Sequence, residues 1–331
     1  MKIVYLYPKS TFRTDLRSDT LWGILCWAIR MVYGNEELER ILKSYIERKP
    51  EFIISSTFPF VKKTDKKWHY LPKPNIKENY IDQSQLSRKE KILNALKRKK
   101  LKKIQLLELT DYTTFIKDSS KSKEIIEKIA EQKNLFSLQS ESIPHNTINR
   151  LTGGTLKLEN KSGQLFHVDE YYLNTFDENV NAGLFFLVKG NTNKLEGALR
   201  FLNHIGYGGD RSTGKGHFIY ELSDFSISEP DDFNAYTNLS LFYPTKEELD
   251  ELKKSEIFNY QLLERQGFIS FNHYETIYKP KTLMFSEGSV FPKININEEY
   301  WGQNKIVMEK SEKLPHNIYQ YGFGFMIKIK I

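Results

Sequence analysis

Hydrophobic and polar residues alternate near the start of the chain, which predicts β-strands over residues 2–10 and 51–61. Between them, residues 17–34 carry apolar side chains at helical spacing and predict a helix with Ser18 or Asp19 as its N-cap. The buried side of this helix would consist of Leu21, Leu25, Ala28 and Val32. The chain is therefore expected to open with a β-α-β unit.

More elements are predicted after a polar, lysine-rich stretch at about residues 62–150, which we interpret as a long insertion. Two alternating runs flank the turn sequence Asn-Lys-Ser-Gly and predict a hairpin over about 151–176. A strand over 182–190, a helix over 192–206 and a strand over 217–227 follow. Without the insertion the order is β-α-β-β-α-β, which is the ferredoxin-like arrangement.

The same order is partly repeated after an acidic, turn-rich link at residues 228–234. A strand is followed by a helix with the capping box Thr245 and Glu248, and three further strand patterns lead to the C-terminus. The second helix of this half is weak or missing. We predict an α+β fold of two ferredoxin-like (RRM-like) domains, residues 1–228 with a basic insertion and a glycine-rich loop, and a degenerate domain at 229–331.

Composition excludes several classes of protein. Of the 331 residues, 39% are hydrophobic and 14% aromatic, so the chain is globular rather than disordered. The single cysteine, Cys26, lies among apolar residues, which rules out a disulfide framework and favours a reducing compartment. No apolar run has the length of a membrane span, and the N-terminus is not typical of a signal peptide. We expect a cytoplasmic protein without a membrane partner.

Charge is distributed unevenly along the chain. Residues 61–110 contain fifteen Lys and Arg against five Asp and Glu, whereas residues 221–260 contain ten acidic residues against three lysines. This asymmetry indicates a nucleic-acid surface and a separate surface that faces solvent or a protein partner. Reversing Glu247, Glu248 and Glu251 to Lys is therefore expected to leave RNA binding intact or stronger. The alternative for the basic run is an ordinary solvated helix.

Residues 206–218, GYGGDRSTGKGHF, form a loop with five glycines, hereafter the glycine loop. Its Gly214 and Lys215 resemble the phosphate loop of nucleotide hydrolases, but Gly216 replaces the Ser or Thr that would bind magnesium. A helix that ends at Gly206 precedes the loop and a strand follows it, which is the reverse of a nucleotide site. The dinucleotide pattern also fails, because Arg211 occupies the third glycine position.

The composition of the glycine loop suits an RNA backbone better than a single nucleotide. Arg211 and Lys215 supply positive charge, and Gly208 and Gly209 let backbone N–H groups come close to RNA. Ser212, beside Arg211, joins them as a candidate RNA-binding residue. The alternative is a glycine-rich turn that only connects two elements. Since exposed cations contribute little to folding, alanine at Arg211 and Lys215 is expected to leave thermal stability almost unchanged.

Four segments together resemble a known family: RSDTLWGILCWAI, ISSTFPF with YLPKP, PHNTINRLTG with LFHVDEYYL, and the glycine loop. In this order they are similar to the fourth-subunit family of the Csm effector complex of type III-A CRISPR systems, within the RAMP superfamily. The resemblance implies a non-catalytic subunit without metal or cofactor, which caps the 5′ repeat-derived tag of a guide RNA. The implied partners are that guide RNA, the large polymerase-like subunit and the backbone RAMP subunit.

Further candidate RNA-binding residues lie in two of these segments. Arg17 and Ser18 are at the N-terminus of the first predicted helix, where free N–H groups favour a phosphate, and a plain helix cap is the alternative. His145, Asn146 and Arg150 resemble the family's segment that leads into a thumb-like hairpin. Their side chains can reach bases or phosphates, although a lone histidine is more often structural.

Three alternatives remain open from the sequence. The segment Tyr321 to Ile329 resembles the base-stacking strand of RRM domains, but Phe323 and Phe325 as core residues are the better interpretation. A RAMP endoribonuclease that processes guide precursors would need a general acid and base, and the seven histidines form no recognisable pair with Tyr or Lys. A scaffold subunit that contacts only proteins is the third possibility.

Overall fold

The computed structural model describes residues 1–76, 87–131 (without 90, 93–94, 96–98 and 100–101), 135–155, 165–269, 278–294, 299–312, 314 and 316–331. These residues contain six α-helices and sixteen strands. The strands form a seven-stranded sheet, a three-stranded sheet and three two-stranded ribbons.

The first part of the chain builds the large sheet. Its elements are β1 (Lys2–Pro8), α1 (Ser18–Tyr33), α2 (Asn35–Ile46), β2 (Phe52–Ile54), β3 (Phe58–Lys63), β4 (Lys66–Pro72), β5 (Leu106–Glu108), α3 (Leu109–Lys117), α4 (Ser122–Glu131), β6 (Phe136–Asn146), β7 (Leu165–Thr175), β8 (Val180–Gly190), α5 (Asn193–Ile205) and β9 (Phe218–Asp224). The strand order is β5-β4-β3-β8-β1-β9, with β2 also paired to β8, all antiparallel. Strands β1, β3, β8 and β9 with α1 and α5 are the predicted ferredoxin-like unit, which is confirmed.

The strand predicted over 51–61 is two strands, because Ser55 and Ser56 interrupt it. Ser55 Oγ accepts a hydrogen bond from Leu187 N at 2.9 Å, and Ser56 N donates to Leu239 O at 2.9 Å. The hydroxyl and the turned peptide let β2 and β3 pair with successive parts of the same strand, β8.

Two further sequence predictions concern the segment between β3 and β8. The stretch 62–150, interpreted as a long insertion of irregular pattern, contains regular elements: β4, β5, α3, α4 and β6. In the described residues, β7 pairs with β6 in a ribbon that places His145 opposite Phe166. The Asn-Lys-Ser-Gly turn and nearly all of the strand expected just before it lie outside the described residues. The β6–β7 ribbon is called the hairpin below.

The two faces of the large sheet are covered differently. Leu6 and Phe186 line a small apolar cavity with Leu21 of α1 and Leu199 of α5, so these helices cover one face. Tyr5 points to the other face, because successive side chains of a strand alternate. Helix α3 packs on that side against β4 and β5. The predicted buried side of α1 is confirmed at Leu21, Leu25 and Ala28, but Val32 is exposed.

The remainder of the chain forms a smaller α+β unit. Its elements are β10 (Ala235–Asn238), α6 (Lys246–Leu252), β11 (Leu262–Arg265), β12 (Thr282–Phe285), β13 (Val290–Pro292), β14 (Lys305–Met308), β15 (Ile318–Gln320) and β16 (Met326–Ile329). The sheet order is β13-β10-β16, and α6 is the only α-helix among the described residues after 228. This agrees with a degenerate ferredoxin-like domain.

The two halves share one apolar core. Tyr321, Phe323 and Phe325 are buried in the same cluster as residues of β1, α1 and β8, which confirms that they are core residues. The Tyr321 ring stacks on Trp22 of α1 with centroids 5.6 Å apart, and its hydroxyl accepts a hydrogen bond from Ile54 N at 3.0 Å. The boundary at residue 228 therefore separates chain segments rather than independent cores, and it stays a prediction.

Helix α6 is joined to the first half by a buried carboxylate. The predicted capping box is present: Thr245 Oγ1 accepts from Glu248 N, and Glu248 accepts from Thr245 N. Glu248 is fully buried, accepts a hydrogen bond from Gly302 N at 3.0 Å and pairs with Arg48 at 2.6 Å. Glu248 is thus a structural residue, and reversing its charge would test folding instead of RNA binding.

Replacing Glu248 with Gln should reduce the free energy of unfolding by roughly 3 kcal/mol, because the buried Arg48 pair loses its negative charge. The exposed Glu247→Gln variant, one residue away, should change it by less than about 0.5 kcal/mol. Urea denaturation of both variants measures the difference. Equal stability of the two would contradict the structural role of Glu248.

Candidate nucleic-acid interface

The glycine loop lies against the chain that leaves β1, residues 9–14, hereafter the β1 exit segment. Lys9 N donates to His217 O at 2.8 Å, and Gly216 N donates to Thr11 O at 2.9 Å. Nearer the tip of the loop, Gly209 N donates to Thr14 Oγ1 at 3.3 Å. The exit segment therefore supports the loop along most of its length.

Two glycines of the loop are required by the fold. A Cβ at Gly208 would lie 2.4 Å from Thr14 Oγ1, and one at Gly216 would lie 2.1 Å from Tyr207 O. Both residues also have positive φ, at 76° and 69°. Gly209 differs, because its nearest neighbour would be 3.8 Å away, in Arg13. A side chain would fit at Gly209 without a clash, unlike at Gly208 and Gly216.

Arg211 is exposed and lies over an aromatic ring. Its guanidinium carbon is 4.6 Å from the ring centroid of Trp27 on α1, a cation–π contact that leaves the charge open to solvent. Ser212 is exposed beside it. Sequence reasoning missed Trp27, although its position off the apolar face of α1 was a usable signal. This side of the loop can offer charge, a hydroxyl and a ring to RNA.

Lys215 is partly exposed, and its ammonium group is bound by side chains of the same chain. Its Nζ donates to Glu170 Oε2 at 2.7 Å and to Thr11 Oγ1 at 3.0 Å, and Thr11 Oγ1 donates to the same carboxylate at 2.6 Å. Glu170 is buried in β7. Burial raises the pKa of its carboxyl, but the hydrogen bonds from Lys215 and Thr11 outweigh burial and leave that pKa below its usual value. The expected simple surface cation is thus a partner in a buried polar cluster.

Arg13 is a further cation that the sequence did not identify as part of the site. It forms an ion pair with Asp210, a residue of the glycine loop with a positive φ of 57°. This contact fixes the loop just before Arg211. No sequence pattern links two residues almost two hundred positions apart.

The N-terminus of α1 differs from the phosphate site expected there. Its N-cap is Arg17, with no side-chain cap, and not Ser18 or Asp19. Ser18 is fully buried, and its Oγ accepts from Leu241 N at 2.8 Å. Arg17 is held by Glu287 at 2.6 Å and Asp15 at 2.9 Å. This helix end joins the two halves of the chain, and the burial of Ser18 argues against direct contact with RNA.

His145, Asn146 and Arg150 lie at the far end of the hairpin. The His145 ring stacks on Phe166 with centroids 5.6 Å apart, whereas Asn146 and Arg150 are exposed. Asn146 is five residues along β6 from Glu141, the partner of Glu170, so it lies roughly 17 Å beyond the buried cluster. The structure separates these residues from the glycine loop. The two candidate groups can contact successive parts of one extended strand of RNA.

Several carboxylates of the acidic region form ion pairs with lysines of the same chain. Glu221 pairs with Lys67 at 2.7 Å, Asp224 with Lys2 at 2.8 Å, and Asp232 with Lys330 at 2.6 Å. Part of the basic stretch 61–110 lies outside the described residues. The two surfaces of opposite charge expected from the sequence are therefore less distinct than the residue counts indicate.

A cluster of His, Tyr and Lys lies on the sheet face that α3 partly covers. Tyr5 Oη is 2.8 Å from His69 Nε2, and the Lys67 ammonium lies 3.7 Å from the Tyr5 ring centroid. His69 is buried, and burial together with the nearby Lys67 charge lowers its pKa to about 4. Burial also raises the pKa of Tyr5 to about 12. These values are far from neutral, so the cluster is poorly suited to general acid–base catalysis at pH 7.

The described residues contain no group of three or more His, Cys, Asp or Glu side chains that could hold a metal ion. None of the helices described here is both long and apolar enough to cross a membrane.

Family models match most of the chain. The RAMP superfamily model covers residues 6–219, and the model of the CRISPR Csm4 C-terminal domain covers residues 231–329. The chain therefore belongs to the RAMP superfamily. Within it, residues 231–329 resemble the C-terminal domain of the Csm4 proteins.

Individual proteins and solved structures are similar to this chain over almost its full length. A protein named CRISPR system Cms protein Csm4 from Thermococcus onnurineus (strain NA1) is 25% identical over 340 residues, which covers 99% of this chain and 96% of that protein. The protein of the same name from Methanocaldococcus jannaschii is 27% identical and covers 97% and 96%. Crystal structures of a Csm3–Csm4 subcomplex of a type III-A interference complex and of a Csm1–Csm4 cassette with cA4 match with TM-scores of 0.61 and 0.59, each at 19% identity. They cover 100% of this chain and 100% and 98% of theirs.

The Lys215→Ala variant should lose roughly 2 kcal/mol of stability, because Glu170 would remain buried without its charged partner. This prediction differs from the sequence-based expectation that alanine at Arg211 and Lys215 leaves stability almost unchanged. Arg211→Ala should lose less than about 1 kcal/mol, since its contact with Trp27 is exposed. Thermal unfolding of the two variants compares them, and equal losses would mean that the Glu170 pair contributes nothing.

Acid should destabilise the fold through His69. Above pH 6.5, the ordinary pKa of histidine, the imidazole is neutral in both states. Between pH 6.5 and about 4 the unfolded chain binds a proton at His69 and the folded chain does not, so stability falls as pH falls. The loss should approach about 3 kcal/mol across this window. His69→Gln, which can still accept from Tyr5, should flatten the pH profile, whereas the exposed His204→Gln should leave it unchanged.

Proposed function

We propose that this chain is a non-catalytic subunit of a type III-A CRISPR interference complex, which binds and caps the 5′ repeat-derived tag of the guide RNA. The observation that carries the proposal is the glycine loop, whose exposed Arg211 lies on Trp27 beside the open backbone at Gly209. A guanidinium, an aromatic ring and a glycine backbone that RNA can approach closely suit a single strand of RNA. The full-length similarity to proteins named Csm4 supports the same function.

The partners follow from the similar structures. One contains Csm1 with Csm4 and another contains Csm3 with Csm4. By analogy, this subunit links the large polymerase-like subunit to the backbone RAMP subunit, in a cytoplasmic ribonucleoprotein. The loop does not support nucleotide hydrolysis, because Gly216 has no hydroxyl for magnesium.

The endoribonuclease alternative has less support. Its best candidate cluster is His69 with Tyr5 and Lys67, and these groups already contact one another. Lys67 is also paired with Glu221. A scaffold subunit that contacts only proteins would not need an exposed guanidinium group over the Trp27 ring.

The proposed tag recognition predicts different effects for two sets of variants in a reconstituted complex. Arg211→Ala should weaken tagged and untagged guides alike and reduce the salt slope by about one, as expected for a lost phosphate contact. Asn146→Ala with Arg150→Ala should reduce discrimination between the guides more than total affinity, because mixed amide and guanidinium groups can read base edges.

Competition binding at fixed salt, with labelled guides that differ only at the 5′ tag, measures both effects. Glu247→Gln, an exposed change of charge on α6, is the control. Retention of RNA that is unaffected by Arg211→Ala would overturn the role of the loop, and equal loss for both guides in the hairpin variant would overturn tag reading. Cleavage of the labelled RNA would support the endoribonuclease instead.

A further inference from the structure

Glu170 connects three segments that are distant in sequence. It belongs to β7 of the hairpin, and its carboxylate accepts hydrogen bonds from Thr11 of the β1 exit segment and Lys215 of the glycine loop, at 2.6 and 2.7 Å. Next to it, Phe12 and Tyr171 exchange backbone hydrogen bonds of 3.0 and 2.7 Å. Among the described contacts, this is where the hairpin meets the β1 exit segment, which supports the glycine loop.

By itself, the negative charge of Glu170 disfavours RNA binding at the glycine loop. A carboxylate beside Lys215 reduces the positive potential that the loop presents to a phosphate. Only 3% of Glu170 is exposed, so a phosphate could not replace it at Lys215 without leaving a buried charge unpaired. The pair is therefore expected to persist when RNA binds. Lys215 uses two of its three ammonium hydrogens in the cluster and is 31% exposed, which leaves one for a phosphate.

We propose that Glu170 is a positioning residue, which holds the glycine loop and the hairpin in the relative orientation that lets both contact the same 5′ tag. The proposal rests on the proposed function and adds a residue that touches no RNA itself. It explains why a buried acid of the hairpin lies beside a cation of the glycine loop: tag recognition gains more from the fixed orientation than it loses from the added negative charge.

The Glu170→Gln variant separates positioning from electrostatics, because the two predict opposite signs. Removing a negative charge should tighten both guides if only the potential matters. If Glu170 positions the two elements, the Kd for the tagged guide should rise about tenfold while that for the untagged guide stays the same or falls. Glu170→Asp, which keeps the charge but shortens the side chain, should lose the same discrimination. Competition binding at fixed salt gives the ratio of the two Kd values.

Glu141→Gln is the matched control. Glu141 is the cross-strand partner of Glu170 on β6 and is exposed. It therefore undergoes the same change of charge on the same hairpin without the buried contacts. This variant should tighten both guides slightly and equally, and leave their ratio unchanged.

Amide hydrogen exchange of the RNA-free protein gives a second, independent measurement. In Glu170→Gln the amides of Phe12 and Tyr171 should exchange faster, whereas those of α6 should not change. Unchanged exchange, or an unchanged ratio of Kd values, would overturn the positioning role. If the unmodified protein retained neither guide, the proposed function would fail, and the exchange rates would still decide whether Glu170 joins the hairpin to the loop.

Discussion

Strand β1 is hydrogen-bonded on both sides, to β8 and to β9, and this double pairing fixes what is built at its end. Beyond Pro8 the chain leaves the sheet but keeps partners on both sides, the glycine loop at Gly216 and the hairpin at Tyr171. Backbone groups that are paired on two sides have little freedom to move. The candidate interface is thus a continuation of the sheet, and the loop owes its shape to the strand beside it.

The sequence was informative where local physics decides the outcome. Apolar spacing found α5, Gly206 marked its end, and Thr245 with Glu248 marked the start of α6. These features depend on residues within a few positions of each other. The same holds for the order helix, loop, strand around the glycine loop.

Sequence reasoning failed where distant residues decide. The hairpin pairs β7 with β6, and nothing in the alternation of β7 indicates which strand it will meet. Ser18 was a candidate phosphate contact because it starts the first helix, but its hydroxyl accepts a hydrogen bond from Leu241 N of the other half. Lys215 looked like a free cation because Glu170 is remote in sequence. In each case the long-range partner, not the residue type, sets the role.

The shared core has a consequence for the synthesis of the protein. Tyr321 and Phe323 are remote in sequence from Trp22 and Tyr45, yet the Tyr321 ring stacks on Trp22 and the Phe323 ring packs edge-on against Tyr45. A ribosome makes α1 and α2 long before those rings, so an apolar surface on the two helices stays uncovered until Tyr321 and Phe323 have been added. A chain that stops before Tyr321 would therefore expose that surface to chaperones and proteases.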